Sequence, residues 1–215
     1  MNKAYPNLLR PMKIGSVEIK NRFAAGPLTL PSLYGPYGEF SLDGLAYFEA
    51  RAKGGFGLIF SGALYPDAEI DPVHPYDSKW PMKAPKEFMR TAKELNERLS
   101  FYNAKMFPQI SMGRGRNTPG CFAPSPLPDF FSPEKLTPAL SRDQVKRKIE
   151  LVVNGAAFLQ SCGFEGAEIH AMHWGYLLDE FAMTMTNQRE DEYGGSLENR
   201  MRVAKEIAEG IKQVC

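Results

Sequence analysis

Long hydrophobic runs are missing from this sequence. No apolar stretch approaches the ~20 residues of a membrane-spanning helix, and the opening MNKAYPNLLRPMKIG lacks the apolar centre of a signal peptide. Cysteine is scarce, with Cys121, Cys162 and Cys215 as an odd and widely spread set of three. Such a set gives no disulfide framework and fails the spacing rules for zinc or iron–sulfur ligation. Reduced thiols, a cytoplasmic location and no bound metal are therefore expected. Charge imbalance is absent as well. The formal net charge is +1, which offers no electrostatic pull towards nucleic acid or an anionic membrane. Finally, no GxGxxG turn follows the first candidate strand, where PLTLPSLYG stands instead, so a dinucleotide-binding doubly wound sheet is disfavoured.

What remains is an ordinary globular composition, 43% hydrophobic and 24% charged over 215 residues, enough for one domain (1–215) with a real core. Its pattern alternates short apolar runs with helical periodicity. Met12–Lys20 reads as a small hairpin turning at Gly15-Ser16. Four strand-like runs follow: Asn21–Leu28, Gly57–Ala63, Ala104–Ser111 and Gly166–His170. Between them, Ser41–Lys53 reads as a helix that stops at Gly54-Gly55. Pro85 opens another, with Phe88, Ala92, Leu95 and Leu99 on one face. A third is announced by the capping box Ser141/Gln144, with Leu140 as a staple and Val145, Ile149, Val152, Ala156 and Leu159 along its face. A fourth is predicted with Leu197, Met201, Ala204, Ala208 and Ile211 on one side. The long Pro-rich stretch between Arg114 and Leu140 is too extended for a plain connector, which points to function or mobility.

Serial βα units favour a parallel sheet. The pattern fits a (β/α)8 barrel, but a whole barrel takes about 250 residues and only the first four βα units are found here. The expectation is a half barrel, with function at the carboxyl ends of its strands.

The polar residues gather at those ends: Thr29, Ser61-Gly62, Gln109, His170 and His173. In HAMHWGYLLDEF, His170 ends a strand, while His173 and Tyr176 lie in the loop beyond it. A catalytic metal site needs three protein ligands, and Asp179 and Glu180 read as the start of a helix, so metal ligation is disfavoured. Acid/base chemistry needs less. Two imidazoles can polarise a substrate carbonyl oxygen while a phenol hydroxyl delivers a proton to a nearby carbon. The plainer alternative is that His170 is a core residue and Tyr176 packs the loop. Gly62-Ala63 carries little bulk and would let a flat ligand approach the main chain. Gln109 offers both donor and acceptor. Arg114 and Arg116 either meet phosphate or face solvent.

Three stretches carry a family resemblance: LLRPMKIGSVEIKNRFAAGPL, YFEARAKGGFGLIFSGA, and GFEGAEIHAMHWGYLLDEFAMTMTNQREDEYGGSLENRMR. The chain resembles the N-terminal half of the old yellow enzyme family of FMN-dependent ene reductases. It is most similar to the bacterial branch with 2,4-dienoyl-CoA, bile-acid and enoate reductases. The resemblance implies hydride transfer from NADH or NADPH through FMN to an activated alkene of an enone, enoate or enoyl-thioester. It implies His170 and His173 as carbonyl anchors and Tyr176 as proton donor. It also implies flavin contacts at Pro27, Leu28, Thr29, Gly62, Ala63, Gln109 and His170. One departure is Trp174, which intervenes before Gly175-Tyr176 and places an indole near the substrate. The family's later strands, its phosphate site and, in the bacterial branch, an iron–sulfur segment have no counterpart here. Expected partners are therefore a small-molecule alkene and either a second copy or a complementing C-terminal half. The alternative function is a truncated or split half barrel, inactive alone.

Overall fold

Residues 5–67, 69–72 and 84–215 are described by a computed structural model of the chain. They divide into two compact units. Among the described residues, one comprises 5–64, 84–109 and 158–168; the other comprises 65–67, 69–72, 110–157 and 169–215.

The first unit opens with the expected hairpin. Strands β1 (Met12–Ile14) and β2 (Val17–Ile19) pair antiparallel, Met12 opposite Ile19 and Ile14 opposite Val17. Met12 and Val17 pack on a small cluster of Ile19, Leu58 and Phe107. Four further strands form one sheet in chain order: β3 (Ala24–Ala25), β4 (Leu58–Leu64), β5 (Lys105–Ile110) and β6 (Glu168–Ile169). The sheet is parallel, with Ala24 opposite Leu58 and Ala25 opposite Ile59. Helices α1 (Leu42–Lys53), α2 (Pro85–Phe101) and α3 (Arg142–Ser161) carry the chain from each strand to the next. This is the first half of a (β/α)8 alternation.

β3 is much shorter than the apolar run Asn21–Leu28 suggests, for local reasons. Asn21 is used in a turn, its Oδ1 accepting from Phe23 N and its Nδ2 donating to Gly55 O. Pro27 has no N–H to give to a ladder. β6 is equally short. The core of this unit is aromatic: Phe40 sits 5.4 to 6.4 Å from the rings of Tyr34, Phe48, Phe88 and Phe164. The predicted face of α2 is correct, with Phe88, Ala92, Leu95 and Leu99 all buried.

The second unit contains most of α3, then α4 (Leu177–Ala182), α5 (Leu197–Arg200) and α6 (Arg202–Val214). The capping box at α3 forms as read, Ser141 N donating to Gln144 Oε1 at 2.8 Å and Gln144 N to Ser141 Oγ at 3.2 Å. The predicted face of the last helix is corrected. The helix is interrupted at Met201, and Val203 and Ile207 are the buried pair. Leu197, Met201 and Ala208 are exposed. Gly210 extends the buried face, since a Cβ there would lie 2.7 Å from Val153 Cγ2.

The polar run TNQREDEYGGSLENR is spent on architecture. Thr186 Oγ1 donates to Glu180 O, Asn187 Nδ2 to Phe181 O and Tyr193 O, and Arg200 Nε to Ala182 O. Arg189 donates to Pro124 O and Leu140 O. The bonds to the carbonyls of Glu180, Phe181 and Ala182 fasten the end of α4, the helix that follows Tyr176.

Candidate active site

In the first unit, the expected flavin contacts lie at and after the strand ends. Pro27 and Leu28 are exposed. Thr29 is half-buried, and its hydroxyl accepts the Ala63 N–H at 3.1 Å. The structure adds a use for Gly62 that the sequence argument did not contain: the space its Cβ would take is filled by the chain itself. A Cβ on Gly62 would meet Thr29 Cα and Oγ1 at 2.7 Å and Leu28 O at 2.9 Å. Gly62 therefore seats Thr29, and Ala63 offers its N–H to that hydroxyl. Gln109 is 4% exposed and donates its backbone N–H to Ser61 Oγ at 3.0 Å. Its side-chain amide lies against Glu168. Burial raises the Glu168 carboxyl above its ordinary range, and the Gln109 amide offsets this only in part. Glu168 Oε2 is buried with no hydrogen-bond partner among the described residues.

In the second unit, the three residues singled out after the fourth strand come together. His170, anchored by its N–H on Ile110 O at 2.8 Å, meets His173 edge-on at 5.2 Å and Tyr176 edge-on at 4.9 Å, centroid to centroid. His173 stacks on Tyr176 at 4.8 Å with their planes 15° apart. Burial, then His173 and then the Arg114 charge, lower the His170 pKa to about 4. The imidazole is therefore neutral at physiological pH, able to donate one hydrogen bond without carrying charge.

The two arginines left open by the sequence separate. Arg116 is committed within the protein: its Nε meets buried Glu180 Oε1 at 3.0 Å, and its guanidinium lies 4.3 Å from the Phe130 ring centroid. Arg114 belongs with the cluster, its guanidinium carbon 5.0 Å from the Tyr65 centroid and 5.9 Å from that of Tyr176. Gly115 between them has φ +55, and a Cβ there would lie 2.3 Å from Glu180 Oε2 and 2.8 Å from Gly175 O. Only glycine lets this turn close over the buried carboxylate. Burial pushes Glu180 up to about 8 despite Arg116.

Sequence reasoning passed over Asp179 and Glu180 as a helix start, which they are. It did not see that both side chains turn back. Asp179 Oδ2 accepts the N–H of His173 at 2.9 Å and of Gly175 at 3.1 Å. An acidic residue at the third position of a helix is a capping signal, and it was available in YLLDEF.

A parallel βα half barrel with two imidazoles and a phenol gathered beyond its last strand places the chain in the class of (β/α)8-type proteins. Comparison with known proteins narrows the class. Residues 7–215 match the model of the NADH:flavin oxidoreductase / NADH oxidase family, and the chain belongs to that family. A cinnamate reductase of Clostridium sporogenes is 39% identical over the whole chain, which covers 33% of that protein. An NADPH dehydrogenase of Bacillus subtilis is 33% identical over 96% of the chain and 60% of its own length. Among solved structures, the old yellow enzyme of Pichia sp. AKU4542 superposes with a TM-score of 0.83 at 26% identity, covering 97% of this chain and 56% of that one. The chain thus spans one third to three fifths of the relatives it matches here.

Proposed function

We propose that this chain carries the substrate-activating part of an FMN-dependent ene reductase, which reduces the C=C bond of an enone, enoate or enoyl-thioester with NADH or NADPH. The observation that supports this most directly is the mutual contact of His170, His173 and Tyr176. His170 and His173 donate to the carbonyl oxygen of the alkene substrate, drawing electron density from the β-carbon. Tyr176 holds its proton at the phenol oxygen and delivers it to the α-carbon. Arg114 keeps positive potential beside the cluster and helps hold His170 neutral.

FMN, when bound, supplies the hydride chemistry. The residues of the first unit suit such a ring. Thr29 and Gln109 put a hydroxyl and an amide at the ends of strands, and the orphaned oxygen of Glu168 beside Gln109 marks a buried polar site still open to a donor. Pro27, Leu28, Thr29, Ala63 and Gln109 of this unit would hold the ring, with Gly62 acting through Thr29.

The test is Tyr176→Phe in FMN-loaded protein. Flavin reduction by NAD(P)H should stay within about twofold, while reoxidation by an alkene slows about 10²-fold or more, the scale of general acid catalysis. Equal loss in both half-reactions would overturn the acid role. A second reading, in which the chain works only with a complementing segment, is favoured by its spanning 33% of one relative and 60% of another.

A further inference from the structure

We propose that Asp179 is the positioning residue of the histidine–tyrosine cluster, acting by clamping the turn at Trp174. The inference rests on the reductase reading for its purpose, but its geometry stands by itself. Tyr176 is the N-cap of α4 and gives the helix no side-chain cap. Asp179, one turn in, sends its carboxylate back past the N-cap. A single oxygen, Oδ2, receives the N–H groups of both His173 and Gly175.

The residue between them is the strained one. Trp174 has φ +49 and Gly175 has φ +89, so two successive residues occupy the left-handed region. Glycine does so freely, whereas an indole-bearing residue does not. Such an outlier persists only when its surroundings over-determine it. Here those surroundings are explicit: Asp179 holds the amides on either side of Trp174, and Asn117 Nδ2 donates to the Trp174 carbonyl at 3.2 Å. The indole itself is 81% exposed, so its own packing does not fix the turn. The turn in turn sets the spacing of His173 from Tyr176, the stacked pair.

Asp179 is 3% exposed, and its Oδ1 has no partner among the described residues. Every hydrogen bond seen for this carboxylate therefore belongs to the clamp. That distinguishes the proposal from a plain helix cap or a charge effect, because one carbonyl-type oxygen is enough to do the work.

The experiment compares Asp179→Asn, Asp179→Ala, Trp174→Gly and the double variant Asp179→Ala/Trp174→Gly. Affinity for a simple phenol, an enolate mimic, is titrated calorimetrically on the folded, FMN-loaded fraction. Amide hydrogen exchange at His173 and Gly175 is followed on the same proteins. Asp179→Ala should weaken phenol binding about tenfold or more, the scale of a small misplacement at a site, and should deprotect both amides. Asp179→Asn should stay within about threefold of the parent. Adding Trp174→Gly to Asp179→Ala should recover affinity, since glycine takes the turn unaided. Unchanged phenol affinity in folded Asp179→Ala overturns the proposal, as does Asp179→Asn as damaged as Asp179→Ala. If the parent protein binds no phenol, the reductase reading fails instead. The clamp is then decided on exchange alone: retained protection at His173 and Gly175 in Asp179→Ala overturns it, and lost protection upholds it.

Discussion

At the residue scale, two buried titratable groups of the second unit pull stability in opposite directions with pH. His170 has its pKa lowered to about 4 from 6.5, so its contribution is complete above pH 6.5 and is lost as pH falls towards 4. Glu180 is raised to about 8 from 4.5, so the fold is favoured while the carboxyl is protonated, and that contribution is lost as pH rises from 4.5 to 8. Glu180→Gln should remove the second effect and leave the first. Its denaturant midpoint should climb more steeply than the parent's between pH 4.5 and 6.5 and stop declining between 6.5 and 8. Parallel midpoint-against-pH curves for the two proteins would mean that Glu180 is ionised throughout in the folded state, held by Arg116.

At the scale of elements, the strand pairing that presents Thr29 depends on a missing side chain. The 2.7 Å approach of Thr29 to the ideal Cβ position of Gly62 involves main-chain Cα as well as the hydroxyl, so no rotamer change relieves it. Gly62→Ala should cost about 1–3 kcal/mol by overpacking and loosen the Thr29–Ala63 hydrogen bond, read as a lowered melting temperature and faster exchange of the Ala63 amide. An unchanged melting temperature would show that the segment after β3 shifts freely. The sequence suggested a different use for this glycine, as room for a ligand. A pair of small residues says that something comes close, but not whether the visitor is a cofactor or the chain's own backbone. The register of α2 and the capping box of α3 were legible because each depends on neighbours within one or two turns. The buried face of α6 was not, because its phase is reset by the interruption at Met201. The reach of Asp179 back to His173 was missed for a similar reason: it depends on a left-handed turn that local propensity argues against for tryptophan.

At the scale of the whole molecule, the sheet has β3 and β6 as its outer strands among the described residues, each two residues long. The relatives matched here are longer by a factor that leaves room for a second set of βα units. We expect the chain purified alone to retain little FMN, and co-production with a segment supplying the remaining strands to yield a yellow, stoichiometrically loaded protein. Flavin absorbance per polypeptide is the measurement, and full loading of the chain alone would refute the need for a partner. The half-barrel alternation and the family were readable from the sequence because βα rhythm and the long run after Gly163 are both extended signals. The contact of His170, His173 and Tyr176 was readable from position alone, as three residues beyond one strand end.

Lys148 is wholly sealed from solvent, yet its ammonium binds Asp67, Asp71 at 2.7 Å and the Met112 carbonyl at 3.2 Å. Asp67 in turn accepts the amides of Glu69, Ile70 and Asp71, and Asp71 accepts that of Phe122. Withdrawing α3 or the stretch after β4 would leave a buried charge without its counter-charge, and withdrawing the stretch after β5 would remove the Met112 carbonyl from the ammonium and the Phe122 amide from Asp71. The stretch after β4, the stretch after β5 and the middle of α3 are thereby tied to a common fate. They let go together or not at all, a cooperative block fastened by one cation.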